Sequence, residues 1–154
     1  MTTLFLDSDG VFADFDTHFE QSFGRPTKGL GDAALWAMIN GKEDWWETMP
    51  LMAGAQELWA VVQPLSPIVL TGCPKSNYQL AAQEKRKWWA RHFDHNAVIT
   101  CLSKDKATHM RAEGDVLIDD MYKNIKRWRE AGGIGIFHRN NEETLAALAK
   151  HGVI

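Results

Sequence analysis

Hydrophobic and polar positions along the chain fall into a regular alternation. Four short apolar runs, 3–6 (TLFL), 67–71 (PIVLT), 97–101 (AVITC) and 115–118 (DVLI), are each bounded by polar or turn residues, and a fifth, 133–137 (GIGIF), is richer in glycine. Runs of this length and β-branched content predict strands buried on both faces. Helical patterns lie between them. Residues 76–92 open on Ser76 as a cap candidate and carry strong helix formers, 122–131 read the same way, and 141–150 place acidic residues in a first turn. Strands alternating with helices predict parallel pairing through right-handed crossovers, hence an α/β fold with a doubly wound parallel sheet.

Residues 14–65 break the alternation. They hold no convincing strand but three helix-like stretches, 16–23, 32–39 and 54–62, with turns at Gly24–Pro26, Gly41 and Pro50. The expectation is a core formed by 1–13 and 66–154 and a small helical cap, 14–65, inserted after the first strand.

Polar residues gather at the same end of four strands. Asp7 and Asp9 follow the first, Thr71 closes the second, Lys104 and Lys106 follow the third, and Asp119 and Asp120 follow the fourth. In open α/β sheets ligands bind beyond the carboxyl ends of the strands. Two close carboxylates raise each other's pKa unless a proton or cation sits between them. Carboxylates converging from the first and fourth strands form a hard-oxygen site that favours Mg²⁺. The six histidines show no ligand-like spacing, which leaves no basis for a zinc site.

These residues also resemble the four signature motifs of the haloacid dehalogenase superfamily, most of whose members are aspartyl-phosphate phosphatases: D-x-D-G-V at 7–11, Thr71, Lys106 and LIDD at 117–120. Further strings resemble the 5′(3′)-deoxyribonucleotidases within it: DSDGVFADF at 7–15, WWETMPLMAGAQELW at 45–59, EKRKWWARHF at 84–93 and SKDKA at 103–107. The resemblance implies Asp7 as nucleophile and Asp9 as general acid and base, chemistry that splits hydrolysis into two easier steps. It also implies Mg²⁺ held by Asp7, the Asp9 backbone carbonyl and Asp119, with Asp120 orienting a metal-bound water. Lys106 would bridge nucleophile and phosphate, and Thr71 and Lys85 would reach the phosphate. Two departures bear on substrate contacts: Gly72 stands where the family usually offers serine, and Lys104 where arginine is usual, a charge without a bidentate fork.

Phe15, Trp45 and Trp46 match positions where the deoxyribonucleotidases enclose base and sugar; packing within the cap is the other reading of each. Trp36, Trp59, Trp88, Trp89 and Trp128 are assigned to packing, and Lys85 to either a solvated face or a phosphate contact. Gly72 and Lys104 complete the expected substrate-binding set, and Asp14 reads as a helix cap.

Composition narrows the classes. With 154 residues, 45% hydrophobic and 24% charged, the chain reads as one soluble domain with a proper core. A net charge of −3 gives no field to draw in a nucleic-acid backbone. No run approaches a membrane span, and two cysteines make no disulfide scaffold, so a cytoplasmic setting is expected. The expected partner is a small phosphorylated substrate, a nucleoside monophosphate, with the oligomeric state open, a homodimer included. Two alternatives stand beside it. One keeps the chemistry on a sugar phosphate or another small phosphomonoester; the other makes the tryptophans and the basic stretch 85–91 a single-stranded nucleic-acid-binding module.

Overall fold

A computed structural model describes residues 2–154. The five apolar runs form β1 (Leu4–Leu6), β2 (Ile68–Gly72), β3 (Val98–Cys101), β4 (Val116–Asp119) and β5 (Ile134–Phe137). All pairs are parallel and the order across the sheet is β3-β2-β1-β4-β5. The chain runs outward from β1 to β3, then returns to the other side of β1. The crevice at the carboxyl ends of β1 and β4 is therefore the switch point where such sheets bind ligands.

Both faces of the sheet are buried, as unbroken apolar runs require. Phe5, Leu70, Cys101 and Leu117 pack on one face against Ile125 and Trp128 of α5 (Tyr122–Glu130). Leu4, Leu6, Val69, Val116 and Ile118 face the other way, toward a cluster that includes Leu58, Ala81, Trp88, Trp89 and Leu148. These come from α3 (Ala55–Val62), α4 (Tyr78–Phe93) and α6 (Asn141–Lys150). Asp115, just before β4, is fully buried and accepts backbone N–H bonds from Thr3, Arg111 and Ala112 at 2.8–2.9 Å. Those three donors satisfy a carboxylate that would otherwise be costly to bury.

The inserted segment contributes α1 (Phe15–Phe23) and α2 (Asp32–Asn40). Asp14 caps α1 by accepting from Thr17 N at 3.1 Å. α3 lies within 14–65, yet its Trp59 ring packs against Phe12, Trp89 and Phe93, which makes it the crossover helix into β2. α4 begins at Tyr78, two residues later than the pattern suggests, and Ser76 does not cap it. The Ser76 hydroxyl instead accepts from Asn40 Nδ2 at 3.1 Å, joining α2 to the core.

One face of α4 holds the inserted segment. Glu84, Trp88 and Arg91, spaced i, i+4, i+7, meet Glu47 N at 3.2 Å, Met49 O at 2.7 Å and Glu47 Oε1 at 2.7 Å. The adjacent row, Lys85 and Trp89, points to the end of β1. Among the described residues no helix is long and apolar enough to cross a membrane.

Candidate active site

The site begins where β1 stops. Asp7 N still donates to Ile118 O at 2.9 Å, after which the chain turns so tightly that the Ser8 carbonyl accepts from Val11, Phe12 and Ala13. Trp89 Nε1 donates to Ser8 Oγ at 3.0 Å and pins the turn to α4. Gly10 has φ +84°, and a Cβ there would lie 2.0 Å from Asp120 Oδ2. Glycine therefore lets the turn reverse and lets the Asp120 carboxylate close against it.

Parallel register sets Asp7 beside Asp119, because Leu6 pairs with Ile118. Carboxylate oxygens of Asp7, Asp119 and Asp120 lie within 4.8 Å of one another. Lys106, in the 3₁₀ segment Ser103–His109, donates to Asp7 Oδ1 and Asp119 Oδ2, each at 2.7 Å. Asp119 also accepts from Met121 N at 2.8 Å and Asn124 Nδ2 at 3.0 Å, so its orientation is fixed from three directions.

Burial raises the Asp7 carboxyl well above the usual carboxylate range; Asp119 pushes the same way and Lys106 opposes. Burial also pushes Asp120 up to about 6. For Lys106, burial favours the neutral amine, but Asp7 and Asp119 outweigh it and hold the ammonium more firmly than in water. Three carboxylates facing one ammonium leave an excess of negative charge at a hard-oxygen donor set, which suits a small divalent cation.

Asp9 turns away from this group. Its Oδ2 accepts from Lys85 Nζ at 2.8 Å, and the same ammonium donates to Thr71 Oγ1 at 2.9 Å and Gly72 O at 2.7 Å. A lysine ammonium has three hydrogens, and all three are engaged. This differs from the expected phosphate contact: Lys85 is buried and works through Asp9 and Thr71. Thr71 is likewise fully buried behind the cavity wall rather than on it.

A cavity of about 590 Å³ opens over these strand ends. Asp7, Asp9, Gly72, Lys106 and Asp120 line its floor; Phe15, Leu35, Trp36, Trp46 and Met52 line the side formed by the insertion. Among the cap aromatics the outcome is split. Phe15 and Trp46 reach the wall, whereas Trp45 is buried, donates from Nε1 to Ser22 Oγ at 3.1 Å, and belongs to the packing. Trp36, assigned to packing from the sequence, lines the cavity instead. Lys104 is exposed and lies off the wall.

Ser103 and Asn124 complete the floor and were not singled out from the sequence. The Ser103 signal was present in the glycine at 72: a Cβ there would sit 2.2 Å from Ser103 Oγ. Ser103 thus brings a hydroxyl from β3's end to the place beside Gly72. Asn124 sits one helical turn past Asp120, a spacing that carries no signal of its own.

The stretch 85–91 does not form a basic aromatic surface. Lys85, Trp88 and Trp89 are buried, and Arg86 Nη1 donates to Val98 O. The Trp88 and Trp89 rings have no free face on which a base could stack.

No family model and no curated protein matches the sequence. Solved structures do resemble the chain. A protein designated a haloacid dehalogenase-like hydrolase from Burkholderia xenovorans LB400 aligns with TM-score 0.56 at 14% identity, over 94% of this chain and 85% of that one. A haloacid dehalogenase-superfamily hydrolase from Ehrlichia chaffeensis aligns with TM-score 0.52 at 13% identity, over 98% of each chain. A protein designated β-phosphoglucomutase from Thermotoga maritima aligns with TM-score 0.50 at 15% identity, over 96% of this chain and 91% of that one. The fold is the α/β fold of haloacid dehalogenase-type hydrolases. At these identities the likeness concerns fold alone, and the chemistry rests on the residues at the strand ends.

Proposed function

We propose that the protein is a Mg²⁺-dependent phosphomonoesterase that works through an aspartyl-phosphate intermediate and acts on nucleoside monophosphates. The observation that carries this reading is the meeting of Asp7, Asp119 and Asp120 with Lys106 at the carboxyl ends of β1 and β4.

In this reading Asp7 attacks phosphorus, the bond to the leaving oxygen breaks, and Asp9 supplies the proton that oxygen needs. Water then attacks the aspartyl phosphate, Asp9 takes its proton, and phosphate departs as Asp7 is regenerated. Lys106 keeps one Asp7 oxygen oriented and offsets charge on the incoming phosphate. Lys85 positions Asp9 and Thr71, and Ser103 offers a hydroxyl beside Gly72. Asp7, Asp119 and Asp120, with the Asp9 main-chain carbonyl, are the groups that would hold Mg²⁺, which when bound offsets repulsion between anionic nucleophile and anionic substrate.

A nucleoside leaving group is supported by the aromatic side of the cavity, where the half-buried Phe15 and Trp36 offer apolar surface backed by Trp46. The test is release of phosphate from p-nitrophenyl phosphate, sugar phosphates and a panel of ribo- and deoxyribonucleoside monophosphates, with Mg²⁺ and with chelator. Mg²⁺-dependent release that is fastest from nucleotides and absent in Asp7→Asn is the expected result. Equal release from sugar phosphates would leave a phosphatase without nucleotide preference; indifference to Mg²⁺ would overturn the metal site.

A further inference from the structure

The segment after β3, Ser103–His109, is a 3₁₀ helix, and its geometry decides which side chains stand together. Such a helix has three residues per turn, so side chains at i and i+3 eclipse one another. Ser103 and Lys106 therefore fall in one row, and both line the cavity. Lys104 is turned out of that row and is exposed. Gly72 makes room for the arrangement, because Ser103 Oγ lies only 2.2 Å from where a Cβ at 72 would stand.

What the Ser103 hydroxyl does there follows from a count of hydrogens. The other hydroxyls of β2 and β3 are engaged: Thr71 Oγ1 accepts from Lys85 Nζ at 2.9 Å, and Thr100 Oγ1 accepts from Tyr78 at 3.0 Å. Lys85 directs all three of its hydrogens to Asp9, Thr71 and Gly72. Lys106 directs two to Asp7 and Asp119, which leaves one. Among the described residues the Ser103 hydroxyl has no partner. The ionised aspartates of the floor can only accept. The unassigned side-chain donors at the end of β3 are thus the Ser103 O–H and the third Lys106 hydrogen, eclipsed on one face. Two adjacent donors, one of them cationic, suit an anion that presents more than one oxygen.

We propose that Ser103 is a phosphate-binding residue: its hydroxyl donates to one oxygen of the substrate's phosphoryl group while the third Lys106 hydrogen reaches another. The proposal rests on the phosphomonoesterase reading above. It leaves Thr71, fully buried, to accept from Lys85 behind the wall. The oxygens that Ser103 would hold are present in substrate and in free phosphate alike. The contact therefore acts on affinity more than on turnover. One charge-assisted hydrogen bond at a partly exposed hydroxyl corresponds to about tenfold in binding.

The experiment is titration calorimetry of inorganic phosphate with Mg²⁺ present, on the wild type and on Ser103→Ala, beside steady-state kinetics with p-nitrophenyl phosphate. Ser103→Ala should bind phosphate about tenfold more weakly and show KM raised by the same factor, with kcat little changed. The double variant Gly72→Ser/Ser103→Gly returns a hydroxyl to the same space from β2 and should regain most of the affinity. Equal phosphate affinity in the wild type and Ser103→Ala would overturn the proposal and leave Ser103 as packing over Gly72. A wild type that binds no phosphate, or a double variant no tighter than Ser103→Ala, would overturn it as well. Binding is read without turnover, so the two readings fail separately. A protein that hydrolyses no phosphomonoester yet binds phosphate through Ser103 would end the phosphatase reading and uphold the contact.

Discussion

The Lys85 ammonium lies 4.6 Å from the centre of the Trp46 ring, so a side chain of the insertion packs over the cation that Asp9, Thr71 and Gly72 accept from. Trp46 also stacks on Trp36 and meets Trp45 edge to face, 6.1 and 5.0 Å between centroids. A desolvated cation–π contact is worth about 2 kcal/mol. Trp46→Leu should therefore lower kcat for nucleotides and for p-nitrophenyl phosphate alike, by about tenfold, with Trp46→Phe recovering most of it. A rise confined to the nucleotide KM would mean instead that Trp46 serves only the base.

Lys106 is the counter-charge to Asp7 and Asp119 inside the protein. Removing one member of a buried pair leaves charge uncompensated and costs about 3–5 kcal/mol. Lys106→Met in chelator should show a loss of that order in urea unfolding, together with loss of activity, and Mg²⁺ should return part of the stability. An unchanged midpoint in chelator would show that the bridge contributes nothing to the fold.

The carboxylates impose a pH dependence whose sign is fixed. Asp7 and Asp120 titrate higher in the folded protein than in the unfolded chain, Asp120 at about 6. The folded state therefore binds more protons, and this part of its stability is full below the unfolded value and disappears as pH rises through the folded one. Four histidines, His18, His92, His95 and His138, are lowered by burial and act in the opposite sense, losing stability as pH falls below the free-imidazole value. A difference measurement separates them. In chelator, the stability gained by Asp120→Asn over the wild type should grow as pH rises from about 4 to about 6 and level off above that. A constant difference would place the raised titration elsewhere.

Gly72 and Ser103 share one space. A Cβ at 72 would stand 2.2 Å from Ser103 Oγ and 3.2 Å from its Cβ. Gly72→Ser alone should lower the melting temperature and the activity, since turning the Ser103 hydroxyl aside would still leave its Cβ and Cα tight against the new side chain. Ser103→Gly in the same chain should recover much of both, returning a hydroxyl to the strand from the other side. Additive losses in the double variant would show that the two positions do not compete.

Much of this was legible in the sequence, and the exceptions share a cause. Strands buried on both faces betray themselves as short apolar runs, so all five were readable. Asp7, Thr71 and Asp119 were readable from their places at strand ends, where register brings side chains together; Lys104 and Lys106 were alike by position, and only the family resemblance favoured Lys106. The insertion was harder. α2 reads DAALWAMIN, apolar nearly all round, and such a pattern does not say which face meets the cavity. Trp36 was assigned to packing for that reason, while Trp45, outside α2 in a turn segment, offered no periodicity to choose between its two readings. Lys85 was identified as a site residue, but the number of acceptors around it, which decides whether it can reach a substrate, depends on three residues distant in sequence. Ser103 was hidden because its role depends on the missing side chain at 72.

Beyond the proposed reaction, the two lysines tie the sheet together. Lys106 laces β1 to β4 and Lys85 laces β1 to β2, so side chains draw the central strands together at the end where their backbone ladders stop. A lineage losing its need for the chemistry could not easily shed these groups singly: loss of Lys106 would set Asp7 against Asp119, and loss of Lys85 would leave Asp9 without its counter-charge. A folding requirement thus weighs on these groups beside the proposed chemistry, and a descendant that abandoned catalysis would be expected to keep the lysines and aspartates together or to replace them together.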